Sequence, residues 1–289
     1  MSKDHPALAA LRRQGFRFKK ELGQNFLFNS FILEEIADGA GVTTGDLVIE
    51  VGAGAGTLTA ELAARGARVK SIELDRSLVP YLRQRFKEEP AVEIIQGDAM
   101  KLDLEALALQ EGRPTYKIAA NLPYHISTPF VTMAFRQLKG LEGGAIMLQK
   151  EVADKILASP GDEGYGLLAL AAAWYGEVKL LMELEPDYFT PPPPVNSAVI
   201  TFRRRPPALV DAVEEKALWL VIRGLFNQRR KSLLNGLKSL GAFLPAGGKS
   251  WQEVLEEAGI DSRRRPETLA LEEFGAIVTI AGYGAKANA

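Results

Sequence analysis

Apolar residues in the first two-thirds of the chain fall in short runs that end in Gly or an acidic residue. The runs lie at 47–51, 69–74, 92–95, 118–120 and 145–148. Between them, 58–65 and 77–88 repeat apolar positions every three or four residues, the spacing of a helix with one buried face. Strands that alternate with helices predict a doubly wound, mostly parallel sheet of the Rossmann-like α/β class. Two later runs, 178–184 and 198–203, have no full-length crossover helix between them and predict an antiparallel pair at one edge. The break at Arg203-Arg204-Arg205-Pro206-Pro207 reads as a linker. Beyond it, Val213, Ala217, Leu220, Val221 and Leu225 mark a helix over 211–226, and two or three more helices follow, interrupted near 245–248. The expectation is a large α/β domain over 1–205, with 1–24 as a basic arm, and a small helical domain over 206–289.

Composition narrows the class. At 47% hydrophobic and 25% charged residues, the chain reads as an ordinary soluble globular protein. It has no cysteine, which excludes disulfides and thiolate metal sites and suits a reducing, cytoplasmic setting. Its only histidines are His5 and His125, too few for a histidine-rich metal site. The first residues do not read as a signal peptide, and the most apolar stretch, 167–175, is too short to cross a bilayer. The net charge of −1 hides an asymmetry: residues 1–24 carry +4, 196–240 carry +6, and 25–195 carry −9. Basic flanks around an acidic body predict a polyanionic partner held from the flanks.

The most informative run is Asn121-Leu122-Pro123-Tyr124, at the end of a predicted strand. It suits the presentation of an exocyclic amine of a nucleobase to an electrophile. Such an amine is a weak nucleophile because its lone pair is delocalised into the ring. Acceptors on both of its N–H groups favour a tetrahedral nitrogen, and the Asn121 amide oxygen and the Leu122 carbonyl can serve as those acceptors. Pro123 brings no competing N–H and stiffens the turn. Tyr124 offers a flat face on which a base can stack.

The cofactor signal is Glu50-Val51-Gly52-Ala53-Gly54-Ala55-Gly56-Thr57, after the first strand and at the start of a helix. A nicotinamide fingerprint needs its last small residue five positions after the first glycine, where this chain has Thr57. No Gly-Lys-Ser/Thr follows, which excludes a P-loop. A Gly-x-Gly-x-Gly loop after an acidic residue suits S-adenosylmethionine, which has no pyrophosphate to cradle. Glu73 closes the second strand, where a carboxylate can accept ribose hydroxyls, with Asp75 as its rival. Asp98, in Gln96-Gly97-Asp98-Ala99-Met100, follows the third strand and can accept from an adenine amine.

Taken together, these motifs resemble the ribosomal RNA adenine N6,N6-dimethyltransferase family, and its bacterial small-subunit branch in particular. The resemblance covers nearly the whole chain. It includes Lys20-Glu21-Leu22-Gly23-Gln24-Asn25-Phe26-Leu27 and Phe189-Thr190-Pro191-Pro192-Pro193-Pro194-Val195-Asn196-Ser197, then Asn227-Gln228-Arg229-Arg230-Lys231 and Arg265-Pro266-Glu267-Thr268-Leu269. By that resemblance the cofactor contacts are Asn25, Leu27, Gly52, Gly54, Glu73, Asp98, Ala99 and Asn121. The catalytic group is Asn121, Leu122, Pro123, Tyr124 and Phe189. Phe189 faces the base opposite Tyr124, or is a core residue beside an edge strand. Departures occur at Leu168-Ala169, where Arg and a hydroxyl residue are expected, and at His125, where a small polar residue is expected.

The expected substrate is a pair of adjacent adenosines in a hairpin loop near the 3′ end of 16S rRNA, reached within a small ribosomal subunit. The expected protein is a cytoplasmic monomer that makes no membrane contact. Arg203, Arg204, Arg229, Arg230, Lys231, Lys19 and Lys20 are the leading candidates for RNA contact, with Arg205, Arg12, Arg13 and Arg17 behind them. Three rivals stand beside this reading. A large-subunit rRNA methyltransferase of the resistance type shares the motifs. A DNA adenine methyltransferase is disfavoured by Leu122, where a second proline is usual. A checkpoint factor in ribosome assembly would bind without depending on catalysis.

Overall fold

A computed structural model of the protein describes residues 5–19, 22–205, 213–241 and 245–283. Along the chain come α1 (Pro6–Arg13), β1 (Phe26–Leu27), α2 (Ser30–Gly39), β2 (Leu47–Val51), α3 (Thr57–Ala64), β3 (Arg68–Glu73) and α4 (Val79–Arg85). Then follow β4 (Val92–Gln96), α5 (Leu104–Gln110), β5 (Tyr116–Asn121), α6 (Ser127–Gln137), β6 (Leu141–Gln149), α7 (Lys150–Leu157) and α8 (Leu167–Tyr175). The rest are β7 (Gly176–Leu184), β8 (Phe189–Thr190), β9 (Ser197–Arg204), α9 (Glu215–Phe226), α10 (Leu233–Lys238), α11 (Trp251–Glu257) and α12 (Leu271–Val278).

The main sheet has seven strands in the order β4-β3-β2-β5-β6-β9-β7. The first five run parallel, and β9 is antiparallel to β6. Every residue of β2 is buried, as expected for a central strand covered on both faces. On one face α2 and α3 bring Ile36, Ala37 and Leu62 against Val48, Val69, Ala119 and Ala145. On the other face α4 brings Leu78, Val79, Leu82 and Phe86 against Ile94, and the arm adds Ala7, Leu11 and Phe26. The arm is therefore folded: α1 has His5 as its N-cap and buries Ala7, Leu8 and Leu11. Its aromatic residues converge on Phe26, with Phe16 stacked at 5.7 Å and Phe18 at 5.1 Å. A separate two-stranded ribbon pairs β1 with β8, with Leu27 opposite Phe189.

The strand expected at 145–148 is part of a longer one that begins at Leu141 and passes through Gly143 and Gly144. Those glycines hide the strand pattern, but the sheet requires them. A Cβ on Gly144 would lie 2.0 Å from the Ile118 carbonyl oxygen, and one on Gly143 would lie 2.7 Å from that of Phe202. The two strand-like runs near the end of the α/β region do form the edge, with β9 inserted between β6 and β7.

The domain boundary differs from the expectation of a single break at 205. The chain divides into Met1–Ala153 with Glu177–Arg204, and Asp154–Gly176 with Arg205–Ala289. The inner segment joins the helical unit through its aromatic side chains. Trp174 meets Trp219 edge-on at 6.3 Å. The Tyr165 hydroxyl donates to the Leu269 carbonyl at 2.7 Å. Burying the largest apolar faces fixes the allegiance of a segment more strongly than its place in the sequence does. Within this unit α9 buries Ala217, Leu218, Val221, Ile222 and Leu225, while Leu220 is turned outward. The remainder of the predicted linker, Pro206-Pro207, lies outside the described residues, as does the rest of 206–212.

Gly144→Ala should lower stability by about 1–3 kcal/mol, because the added methyl strikes backbone that cannot move without breaking the β5–β6 ladder. Urea unfolding followed by circular dichroism would check this, and an unchanged midpoint would show that the ladder can yield.

Candidate active site

The in-register ends of the parallel strands build the site. Val51 of β2 lies opposite Ile72 of β3 and Ala120 of β5, so these strands stop at one level. The segments that follow them gather at that level, where open sheets bind ligands. All the expected cofactor and catalytic residues, from Asn25 to Phe189, line one pocket there.

After β2 the backbone doubles back, and the amides of Gly52 and Ala53 both donate to the Ile72 carbonyl, at 2.9 and 3.2 Å. This turn needs left-handed backbone at Gly52 (φ 85°) and Gly54 (φ 55°). A Cβ on Gly52 would sit 3.2 Å from the Asn121 carbonyl oxygen, and one on Gly54 would sit 3.3 Å from the Phe26 ring. Glu73 is buried at the tip of β3, with Oε2 accepting from the Gly54 amide at 2.8 Å and Oε1 from the Asp75 amide at 2.7 Å. Burial pushes its carboxyl above the usual range. Asp98, half-buried beyond β4, accepts from the Met100 amide at 3.0 Å, and Ala99 is buried beside it.

The rival carboxylate, Asp75, is committed elsewhere. It accepts from Lys19 Nζ at 2.5 Å, Gln24 Nε2 at 2.7 Å and Ser77 Oγ at 2.7 Å. Lys19 thus ties down the arm, which corrects the expectation that its charge faces RNA. Lys20 lies outside the described residues.

Asn121 ends β5, and its Nδ2 donates to the Asn25 carbonyl at 2.9 Å. Leu122 is buried and its amide donates to the Met147 carbonyl at 3.0 Å, which anchors the turn to β6. The Tyr124 hydroxyl is 2.9 Å from Ser197 Oγ, so the start of β9 holds the ring. Burial raises the Tyr124 pKa, which keeps the phenol neutral. Leu27 is buried, and its carbonyl accepts from Thr57 Oγ1 at 2.8 Å. Phe189, only 4% exposed, packs in the cluster with Leu27, Leu33 and Met147 and also lines the pocket, so it is a core residue and a wall at once.

Glu50, quoted in the glycine motif but given no role from sequence, is 1% exposed beneath the loop. Its Oε2 accepts from Thr59 Oγ1 at 2.5 Å and Ser71 Oγ at 2.6 Å. Among the described residues its Oε1 has no hydrogen-bond partner. Desolvation pushes its pKa up to about 7, and the nearby Glu73 adds to the rise. An acidic residue before the glycines was the only sequence signal, and it does not separate a buried proton-holder from a solvated strand end.

The lining fits an adenosylated sulfonium. Glycines leave room for close approach, and Glu73 and Asp98 supply carboxyl groups for hydroxyls or an amine. Among the described residues no Lys or Arg lines the pocket, so no cationic side chain there would meet a pyrophosphate.

A family model for ribosomal RNA adenine dimethylase matches residues 15–276. The ribosomal RNA small subunit methyltransferase A of Clostridium botulinum (strain Kyoto / Type A2) is 42% identical over 260 residues, 90% of this chain and 92% of its own length. The chain belongs to the ribosomal RNA adenine dimethylase family. The Geobacter metallireducens protein of the same name is 43% identical over 268 residues, 92% of this chain and 96% of its own. Among solved structures, a dimethyladenosine transferase from Plasmodium falciparum aligns with TM-score 0.77 at 23% identity, covering 90% of this chain and all of its own. The 23S rRNA methyltransferase ErmE aligns with TM-score 0.67 at 24% identity, covering 89% and 99%. Both show the shared Rossmann-like fold. This rRNA adenine dimethylase is an S-adenosylmethionine-dependent methyltransferase, and the pocket has the donor set for that cofactor.

The expected RNA-facing cations of the dimethylase divide into two kinds. Arg203 is exposed on β9, and Arg230 and Lys231 are exposed after α9. Arg229 is exposed as well, resting over the Phe226 ring at 5.7 Å and donating to the Tyr165 carbonyl at 3.4 Å. Arg204 instead donates to the Leu141 carbonyl at 2.9 Å and the Leu138 carbonyl at 2.5 Å, and Arg205 donates to the Gly176 carbonyl at 3.0 Å, so these two brace the backbone.

Glu50 gives stability a pH dependence. Its folded pKa lies above the unfolded value of 4.5, so the native state binds the proton more tightly. That contribution is complete below pH 4.5 and is lost as pH rises through about 7, an effect on the order of 3 kcal/mol. Glu50→Gln removes it, so the stability of the variant relative to wild type should rise between pH 5 and pH 8. Paired thermal melts across that range check this; parallel profiles would mean that Glu50 is ionised throughout.

Proposed function

We propose that this protein transfers methyl groups from S-adenosylmethionine to N6 of two adjacent adenosines in the 3′-terminal hairpin loop of 16S rRNA, forming N6,N6-dimethyladenosine during small-subunit assembly. The observation that carries the reading is Asn121. Its Nδ2 is spent on the Asn25 carbonyl, which leaves Oδ1 as the acceptor of a pocket-lining turn that also carries Tyr124. Similarity to small-subunit methyltransferases over nine-tenths of the chain supports this branch over the large-subunit one.

The cofactor supplies a methyl group on a sulfonium, already a strong electrophile, so the chain needs little acid–base chemistry. Gly52, Gly54, Glu73, Asp98, Ala99, Asn25 and Leu27 hold it. Asn121 Oδ1 and the Leu122 carbonyl accept from the two N6 hydrogens. As the nitrogen takes the methyl carbon, the carbon–sulfur bond breaks and S-adenosylhomocysteine is left; the nitrogen becomes cationic and gives one of those protons to solvent. The base leaves its stack at a cost of a few kcal/mol, and stacking on Tyr124, about 1–3 kcal/mol, offsets much of it. Phe189 closes the apolar wall opposite. Burying the amine in this lining removes competing water and aligns the reactants. Arg203, Arg229, Arg230 and Lys231 hold RNA phosphates, which position the loop without reading its sequence. The protein acts as a cytoplasmic monomer; among its described residues no helix is long and apolar enough to cross a membrane.

Labelled S-adenosylmethionine incubated with unmethylated small subunits, followed by nucleoside mass analysis, tests the reading. Dimethyladenosine from the small subunit and none from 23S rRNA is the expected result; label only in 23S rRNA would overturn it. Asn121→Ala should abolish transfer while retaining most cofactor binding by calorimetry, whereas Tyr124→Ala should slow transfer roughly 10- to 100-fold. Reversing the charges of Arg229 and Arg230 should weaken subunit binding and flatten its salt dependence. An unchanged slope would show that these side chains are only solvated.

A further inference from the structure

We propose that Gln24 and Asp75 are positioning residues for methyl transfer, holding the Asn25 carbonyl in the place that turns the Asn121 amide oxygen toward the substrate amine. The inference rests on the acceptor role given to Asn121 above. Gln24 lines the pocket, but its amide is engaged by Lys19 and Asp75, and Asp75 does not line the pocket; both act through the backbone of the arm.

The Asp75 side chain is fully buried and sits just past β3. Its Oδ1 accepts from Lys19 Nζ at 2.5 Å, the Ser77 amide at 2.9 Å and Ser77 Oγ at 2.7 Å, and its Oδ2 from Gln24 Nε2 at 2.7 Å. Four protein donors therefore hold this carboxylate, three on Oδ1 and one on Oδ2, and with its side chain fully buried it is engaged by the protein rather than by a ligand. The other end of the Gln24 amide is held as well, with Oε1 accepting from the Lys19 amide at 2.8 Å. Gripped at both ends, Gln24 cannot rotate without breaking two hydrogen bonds, one of them to a charged group.

The next residue carries the effect into the site. The Asn25 carbonyl accepts from Asn121 Nδ2 at 2.9 Å. Were the Asn121 amide flipped, an N–H would face the N–H groups of adenine, and the acceptor that pulls the nitrogen toward a tetrahedral geometry would be lost. A donor–donor clash in a poorly hydrated pocket is costly, so amide orientation decides whether the turn promotes transfer or opposes it. Pinning the arm to the domain does not by itself require this polar clasp, because Phe16 and Phe18 already pack on Phe26. What the clasp adds is control over the single residue between Gln24 and Phe26.

The test uses the full chain labelled with 15N and compares wild type with Gln24→Met, which keeps the volume of the side chain, and Gln24→Ala. Gln110→Met, at the exposed end of α5 and outside the pocket lining, serves as the control. The Asn121 side-chain amide resonance is assigned by its disappearance in Asn121→Ala. In both Gln24 variants it should shift to the position of a solvated amide, and kcat on small subunits should fall on the order of 10- to 100-fold with KM for the subunit unchanged. Gln110→Met should leave both readings as in wild type. An unmoved Asn121 resonance in a folded Gln24 variant, or an unchanged kcat, overturns the proposal. If wild type itself methylates no small subunit, the substrate reading fails, and the amide resonance alone decides the clasp.

Discussion

The site depends on the register of three parallel strands. Because Val51 is level with both Ile72 and Ala120, the chain leaves β2, β3 and β5 at the same height. Gly52, Glu73 and Asn121 are brought together by that constraint alone, although about seventy residues separate the first from the last. A one-residue slip in either ladder would turn Glu73 or Asn121 to the opposite face of the sheet. Every residue of β2 is buried, including Glu50 with its specific partners Thr59 and Ser71, so such a slip is expensive.

Onto this platform the protein lays a second layer of control through hydrogen bonds from outside the sheet. The arm supplies the Asn25 carbonyl to Asn121, and the start of β9 supplies Ser197 to Tyr124. Each half of the base-holding turn is therefore oriented by a different part of the chain. The glycine loop is likewise held from two directions, by the Ile72 carbonyl below and the Glu73 carboxylate beside it. Placing the groups is the work of the fold, and aiming them is the work of these contacts.

Much of this was legible in the sequence, for reasons that differ by residue. Strands such as β2 declare themselves because burial on both faces demands a mostly apolar run, broken here only by Glu50. The glycine loop and Asn121-Leu122-Pro123-Tyr124 could be read because their chemistry tolerates few residue types at those spacings. Glu50 could not be assigned a state, since the same letter describes a solvated carboxylate and one that holds its proton near neutrality. Lys19 and Arg204 were read as free charges because composition shows charge but not the acceptors that fold against it. The start of β6 was hidden by Gly143 and Gly144, whose value lies in having no side chain. The allegiance of 154–176 was hidden because tryptophan contacts across more than forty residues leave no local pattern.

The strand order also dictates a sequence of events during synthesis. β9 is the last strand of the main sheet to leave the ribosome, yet it lies between β6 and β7. Until residue 204 has emerged, the buried edge of β6 has no neighbour on that side, and the nascent chain carries an open, apolar strand. The segment 154–176 emerges inside this interval, while its partners beyond residue 205 are still to be made. Neither unit can therefore close before most of the polypeptide exists, and a chain truncated near residue 200 would be left with both an unfinished sheet and stranded tryptophan surface.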